Sequence, residues 1–147
     1  MAVDNNPSSP FYGRMYLSWN DFDDDGALYV TRSDNGTTWT RVEVFNVVAS
    51  TFIRDVQIQV APNGNVILVG MDEGDPGGAS SRRNYAFRST DGGVTFSVAG
   101  IPMGARFTPP CDFTAGYFRV CKPIWRHMGW GDLATGGGNV ADRKSVV

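Results

Sequence analysis

Short runs of apolar residues, or of alternating apolar and polar residues, recur along this chain, with turn residues between them. Glycine or proline occurs every few residues, and no 3.6-residue period of apolar positions persists over a helix-length window, so the pattern excludes long helices. Strand-like runs lie at residues 14–19, 27–32, 41–48, 52–60, 65–71 and 84–89. The sequence therefore predicts an all-β protein.

The middle of the chain has the layout of a four-stranded antiparallel unit. Asn63-Gly64 is a favoured pair for a tight hairpin turn, and it joins the runs 52–60 and 65–71. The second of these runs is nearly all apolar, which predicts a strand covered on both faces. A polar loop, the run 84–89, a turn and one further strand complete the unit. Strands of a partial third unit are predicted at residues 130–134 and 140–147, with a glycine turn at 136–138.

One turn motif occurs twice, 57 positions apart. The copies read Arg32-Ser33-Asp34-Asn35-Gly36-Thr37-Thr38-Trp39 and Ser89-Thr90-Asp91-Gly92-Gly93-Val94-Thr95-Phe96. Each predicts a structural turn in which the aspartate accepts backbone N–H groups, the glycine takes a positive φ and the aromatic ring is buried. These roles fall to Asp34, Gly36 and Trp39 in the first copy, and to Asp91, Gly93 and Phe96 in the second. Ser89 opens the second copy and is also a residue of the structural motif. The first copy departs from the pattern at its opening position, where Arg32 stands in place of serine or threonine.

The two copies and their spacing resemble the Asp-box, or BNR, repeat of sialidase-like β-propellers. The resemblance implies consecutive four-stranded antiparallel blades in one partial domain over residues 1–147. The blade-like units lie at about residues 10–50, 51–110 and, in part, 111–147. Propellers have four to eight blades, so the roughly two and a half blades expected here form an incomplete ring. The motif describes a fold and specifies no reaction.

The same resemblance implies a non-catalytic BNR-repeat module, glycan-binding or structural, from a secreted sialidase-like protein. Two alternatives stay open. One is a fragment of a glycoside hydrolase of the exo-sialidase type whose catalytic site lies mostly outside this chain, and the other is a self-assembling structural subunit. Open blade edges predict a homo-oligomer or another association through them. The resemblance places the protein outside the cell or on its surface, although residues 1–7 lack the basic and apolar regions of a signal peptide.

Two residues are candidate catalytic residues under the hydrolase alternative. Enzymes of the family resemble one another in arginines that clamp the substrate carboxylate, which a guanidinium grips with two hydrogen bonds. Arg54 occupies a place similar to the first of these arginines, and Asp72 falls where the family often has an acidic residue. The family has Ile-Pro after that arginine, whereas this chain has Asp55-Val56. Because the carboxylate of Asp55 would weaken the clamp, catalysis is not expected.

An acidic segment, Asp21-Phe22-Asp23-Asp24-Asp25-Gly26, matches the start of a calcium-binding loop. Asp21, Asp23 and Asp25 would supply oxygen ligands, and Gly26 would allow the sharp turn. The twelfth position, where such loops have a bidentate glutamate, is Arg32. We therefore favour a solvated hairpin loop and predict no cofactor, with calcium as the open alternative.

Composition argues against two classes of partner. The net charge is −2 without a basic stripe, so no nucleic acid is expected. No apolar run approaches the roughly 18 residues that cross a bilayer, so no membrane is expected. A glycan is the expected ligand, with Trp125 and Trp130 as candidate stacking residues; packing between blades is the alternative for both rings. Cys111 and Cys121 are either a disulfide or two reduced thiols.

Overall fold

The computed structural model describes residues 1–46, 53–72, 82–97, 100–107, 131–136 and 139–144. Within these ranges the protein consists of two four-stranded antiparallel sheets, a two-stranded hairpin and one 3₁₀ turn at Phe22–Asp24. The predicted all-β architecture is confirmed. No helix among the described residues is long and apolar enough to cross a membrane. Four residues named above lie outside the described ranges: Cys111, Cys121, Trp125 and Trp130.

Within each sheet, every strand pairs with the next strand along the chain. The first sheet contains β1 Ala2–Val3, β2 Met15–Asp21, β3 Ala27–Ser33 and β4 Thr40–Phe45. The second sheet contains β5 Ile53–Val60, β6 Val66–Asp72, β7 Arg82–Ser89 and β8 Ile101–Phe107. The hairpin contains β9 Gly131–Gly136 and β10 Asn139–Lys144. Each strand-like run in the sequence overlaps one of these strands. The sequence pattern missed β1, because two residues carry no readable periodicity.

The two sheets share one plan, down to the register of their strands. Met15 pairs with Ser33 where β2 meets β3, and Val66 pairs with Ser89 where β6 meets β7. A capped turn follows the serine in each sheet and leads to the fourth strand. The strands β1 to β4 therefore correspond in order to β5 to β8.

The connection between the first two strands closes with the same bond in both sheets. The N–H of Asp4 donates to the carbonyl of Arg14 (2.9 Å), and the N–H of Ala61 donates to that of Asn65 (2.8 Å). Residues 61–65 are a tight turn in which Gly64 takes a φ of +80°. The first sheet uses a longer connection at the same place.

One hydrophobic core joins the two sheets. Its buried side chains include Tyr16, Leu28, Val30 and Val44 from the first sheet and Ile53, Ile58, Val66, Leu68 and Phe87 from the second. The ring of Phe45 contacts that of Phe87, with centroids 5.6 Å apart. At the margin of the core, the side-chain amide of Asn20 donates to the carbonyl of Ile53 (2.7 Å). Apolar burial and one polar bond therefore hold β2 against β5.

The second sheet is covered on both faces. β6 is buried along its whole length, as its apolar sequence predicts. One face packs on the first sheet, and the other carries Ile67 and Val69, which pack against Leu133 of β9. The backbone N–H of Leu133 also donates to the side-chain oxygen of Gln57 (3.0 Å). The second sheet thus lies between the first sheet and the hairpin.

Replacing Phe87 tests the shared core. Phe87 is fully buried between the sheets, so Phe87→Ala should lower the free energy of unfolding by about 3–5 kcal/mol, through lost apolar burial and the cavity left behind. Tyr12 is 62% exposed. Tyr12→Ala should therefore change the free energy of unfolding by about 0.5 kcal/mol or less. Urea unfolding measures both. Equal effects would contradict the shared core.

Candidate functional site

The second turn is closed by its own side chains. The hydroxyl of Ser89 accepts the N–H of Gly93 (2.8 Å) and donates to Asp91 (2.7 Å). The carboxylate of Asp91 also accepts the N–H of Val94 (3.0 Å), the N–H of Thr95 (3.0 Å) and the Thr95 hydroxyl (2.6 Å). Gly93 has a φ of +79°. Asp91 is therefore the acceptor around which this turn folds.

The first turn has the same construction with an amide in place of the carboxylate. The hydroxyl of Ser33 accepts the N–H of Gly36 (2.9 Å). The side-chain oxygen of Asn35 accepts the N–H of Thr37 (2.9 Å) and the Thr37 hydroxyl (3.0 Å). Asn35 therefore has the role in this turn that Asp91 has in the second.

The predicted role of Asp34 is corrected by this geometry. The Asp34 side chain is 70% exposed and pairs with Arg14 through two contacts, of 2.6 and 3.0 Å. These hydrogen bonds from Arg14 hold the pKa of Asp34 below its usual range. The first turn is one residue shorter than the second between its serine and its aromatic residue. Aligning Ser33 with Ser89 removes the apparent departure at the opening position and identifies Asn35 from the sequence alone.

The aromatic residues of the two turns have different environments. Phe96 is half-buried and packs against the core between the sheets. Trp39, which the sequence predicted to be buried under its turn, is 37% exposed. Its indole N–H donates to the carbonyl of Gly36 (3.3 Å), so the ring lies along the turn and not in the core. The prediction for Trp39 is therefore wrong.

The second turn also packs directly on the first sheet. Arg14 donates to the carbonyl of Gly92 (3.0 Å), and Arg32 donates to the carbonyl of Gly93 (2.9 Å). A Cβ atom at Gly92 would lie 2.6 Å from the Arg14 guanidinium, and one at Gly93 would lie 2.9 Å from the ring of Tyr16. Both positions therefore require glycine for this contact as well as for their positive φ. The sequence pattern did not identify Arg14, which bonds to both turns.

Tyr16 lies under this contact and is fully buried. Among the described residues, its hydroxyl has no hydrogen-bond partner of good geometry. Burial raises the pKa of Tyr16 to about 12, so the phenol stays protonated at neutral pH. The contact between the second turn and the first sheet is therefore structural and closely packed.

The acidic loop is held by hydrogen bonds of its own. Asp21 accepts the N–H of Asp23 (3.2 Å), and Asp24 accepts the Tyr29 hydroxyl. Asp25 takes a left-handed φ of +50°. Hydrogen bonding, above all to Asp24, raises the pKa of Tyr29 to about 12. Across the described ranges, no three histidine, cysteine or acidic side chains are grouped as metal ligands, and this includes the three calcium candidates.

The two candidate catalytic residues lie at the same end of the second sheet, on adjacent strands. Arg54 pairs with Met71, and Asp72 pairs with Ile53, one step further along the ladder. Asp72 is buried, and the guanidinium carbon of Arg54 lies 5.4 Å from the centre of the Phe22 ring. The structure thus places the two candidates at the same end of the second sheet, at consecutive ladder positions, where side chains alternate between the two faces.

Two further residues at this end were not predicted as site residues. Asp55 has a φ of +54° at a bulge in β5, and such a conformation is costly for a residue other than glycine. Burial raises the pKa of Asp55. Asn84 pairs with Met71, is 3% exposed, and has a side-chain oxygen that no described residue hydrogen-bonds. We call the set Arg54, Asp55, Asp72 and Asn84 the polar end of the second sheet.

Comparisons with protein-family models, with curated protein sequences and with solved structures find no match for this chain. The likeness to BNR repeats therefore depends on the two capped turns and on their place in the sheets. Such turns describe how the chain folds and do not identify a reaction.

Single alanine substitutions should separate the acceptor residues from Asp34. Asn35→Ala and Asp91→Ala should each lower the free energy of unfolding by about 1–2 kcal/mol, because turn N–H groups lose their acceptor. Asp34→Ala removes an exposed ion pair and should cost at most about 1 kcal/mol. Urea unfolding of the three variants measures this. A larger loss for Asp34→Ala than for Asn35→Ala would contradict the corrected assignment.

Asp91 should make the stability of the protein depend on pH. Partial burial opposes its ionisation, but hydrogen bonds from Thr95, Ser89 and Val94 outweigh burial and hold the pKa of Asp91 well below its usual range. Because the pKa is lower in the folded state, the stabilisation is complete above the unfolded pKa of about 4 and is lost as the pH falls through the folded pKa.

Asp91→Asn isolates this effect, because it keeps the kind of acceptor that Asn35 supplies and removes the charge. We expect the difference in melting temperature between the parent protein and this variant to shrink as the pH is lowered from about 7 to about 3. Asp23→Asn, which removes one exposed carboxylate, is the matched control. A difference that stays constant with pH would contradict the role of the charge.

Proposed function

We propose that this chain is a non-catalytic module of BNR-repeat β-propeller type, with a glycan-binding or structural role. The single observation that supports this most strongly is the place of the two capped turns. Each turn lies between the third and fourth strands of a four-stranded antiparallel sheet. Each follows a serine that pairs with the first residue of the second strand, which is Met15 in one sheet and Val66 in the other. Two repeats of one sheet plan, rather than one turn motif, are typical of propeller blades.

The arrangement of the sheets is also the one expected for neighbouring blades. The second sheet packs between the first sheet and the hairpin, so three successive units follow one another face to face. The hairpin would be the first two strands of a further blade, because β9 and β10 follow the second sheet as β5 and β6 follow the first. On this proposal the chain contains part of a ring.

A non-catalytic role is supported by how the charged groups near the turns are used. Arg14 binds Asp34 and a turn carbonyl, and Arg32 binds a second turn carbonyl. The Asp91 carboxylate accepts hydrogen bonds from donors within its own turn. Groups held in this way stabilise the fold and are not available to a substrate. Glycan binding through Trp125 and Trp130 remains part of the proposal.

A segment of a glycoside hydrolase is the second candidate, and the polar end of the second sheet favours it. Arg54 and Asp72 lie one ladder step apart there, beside the strained backbone of Asp55. Backbone strain and unpaired buried polar atoms recur at binding and catalytic sites. A substrate would then need further residues from outside this chain. A self-assembling subunit is the third candidate and requires only that sheet edges or faces stay open.

One experiment tests the proposal against its alternative. The purified protein is incubated with a panel of immobilised glycans that includes fluorogenic sialosides, and both bound protein and released aglycone are measured. We expect saturable binding to some glycans, or none, and no release above the buffer rate. Release that Arg54→Ala abolishes, and that the exposed-arginine control Arg88→Ala leaves intact, would contradict the non-catalytic module and support the hydrolase segment.

A further inference from the structure

The dipeptide Asn-Gly occurs twice in this chain, as Asn35-Gly36 and as Asn63-Gly64, and it has a reactivity of its own. The backbone nitrogen of the glycine can attack the side-chain amide carbon of the asparagine. The attack is favoured because both groups belong to one chain segment and glycine has no Cβ atom in the way. Both pairs lie in turns between strands, and both asparagines are exposed. The reaction therefore depends on how firmly each asparagine side chain is held.

Several donors among the described residues hold the side chain of Asn35. Its oxygen accepts the N–H of Thr37 (2.9 Å), the Thr37 hydroxyl (3.0 Å), the N–H of Thr38 (2.8 Å) and the Ser33 hydroxyl (3.2 Å). Closing a ring onto the nitrogen of Gly36 requires the side chain to rotate towards the backbone, which moves its oxygen away from these donors. The fold therefore opposes the reaction at Asn35.

The side chain of Asn63 is held much less firmly. Its oxygen accepts the N–H of Asn65 (3.1 Å), which is its single hydrogen bond within the described part of the chain. The attacking nitrogens do not differ in this way. The N–H of Gly64 donates to the carbonyl of Ala61 (2.9 Å), and the N–H of Gly36 donates to a serine hydroxyl at the same distance. The two pairs therefore differ mainly in the freedom of the asparagine side chain, and Asn63 is the freer of the two.

We propose that Asn63 is a modification site, at which the folded protein loses ammonia without an enzyme, and that the fold protects Asn35 from the same reaction. The nitrogen of Gly64 bonds to the side-chain amide carbon of Asn63, and the bond from that carbon to the amide nitrogen breaks. Ammonia leaves with the proton that Gly64 gives up, and a cyclic imide remains. Water then opens the imide at either carbonyl group. The product is aspartate or isoaspartate, and the net reaction consumes water and releases ammonia.

The contacts of the turn at residues 61–65 give this modification a structural consequence. The side-chain amide of Asn6 donates to the carbonyl of Pro62, and a Cβ atom at Gly64 would lie 2.7 Å from the Ser9 hydroxyl oxygen. The turn therefore packs closely on the connection between β1 and β2. Isoaspartate adds a carbon atom to the main chain and shifts the atoms of this contact, whereas aspartate keeps the main-chain length. Isoaspartate should therefore weaken the attachment of the turn to the first sheet.

The test follows both pairs in the full chain at mildly alkaline pH, folded in buffer and unfolded in guanidinium chloride. Peptide mapping by mass spectrometry measures the change from amide to carboxyl at each asparagine. In the folded protein, Asn63 should convert about tenfold or more faster than Asn35, because fewer hydrogen bonds hold its side chain. In the denaturant the two rates should agree within about twofold, since neither side chain is then held by the fold.

Melting of aged samples tests the structural consequence. Protein in which position 63 has converted to isoaspartate should melt about 2–4 °C below fresh protein. Asn63→Gln is the matched control, because a glutamine would have to close a larger ring and therefore reacts far more slowly. The same ageing should leave the melting temperature of this variant unchanged.

Three outcomes of the mapping would overturn the proposal. Conversion of Asn35 in the folded protein as fast as that of Asn63, or faster, would show that its hydrogen bonds do not protect it. An unreacted Asn63 in the folded protein, while both pairs convert in the denaturant, would show that the turn protects this residue too. A preference for Asn63 that persists in the denaturant would assign the difference to local sequence and not to the fold. Aged protein that contains isoaspartate at position 63 and melts like fresh protein would overturn the consequence for the turn.

Discussion

The structure depends on one constraint, which is that β6, an inner strand of the second sheet, is buried on both faces. β6 has no exposed residue, so neither face of its sheet can remain in water. The first sheet covers one face with a core that contains Tyr16 and Leu28, and the hairpin covers the other through Leu133. This burial fixes the order of the layers along the chain. The polar contacts described above act within that arrangement.

Because the sheets pack face to face, the turn after β7 comes against the first sheet and is held from outside as well as from within. Arg14 is the residue that links the two repeats, since its guanidinium bonds to Asp34 beside the first turn and to Gly92 in the second. A planar group with several N–H donors can serve two acceptors in this way, which a lysine ammonium does less well. Arg32 reinforces the contact at Gly93. The two guanidinium groups thus hold the backbone of the second turn against the first sheet.

Much of the fold could be predicted from local pattern, because strand alternation and turn chemistry are local properties. β6 and the turn at residues 61–65 are such cases. The exchange of roles between Asp34 and Asn35 was missed because a shift of one residue leaves the letters of the motif almost unchanged. An alignment on Ser33 and Ser89 indicates Asn35, and the hydrogen bonds show that its side chain faces the turn. β1, the bulge at Asp55 and the contacts of Arg14 depend on partners distant in sequence, and no local pattern indicates them.

The two ends of the second sheet are built on different principles. At the end with Ser89 and residues 61–65, the turn donors have acceptors and the positive φ angles fall on glycine. At the polar end, a positive φ falls on Asp55 and the buried side-chain oxygen of Asn84 has no hydrogen-bond partner among the described residues. Each of these features costs stability. On the hydrolase-segment proposal, these features would serve a ligand at the polar end, since backbone strain and unpaired buried polar atoms recur at binding sites. The polar end is therefore where a ligand of this protein should first be sought.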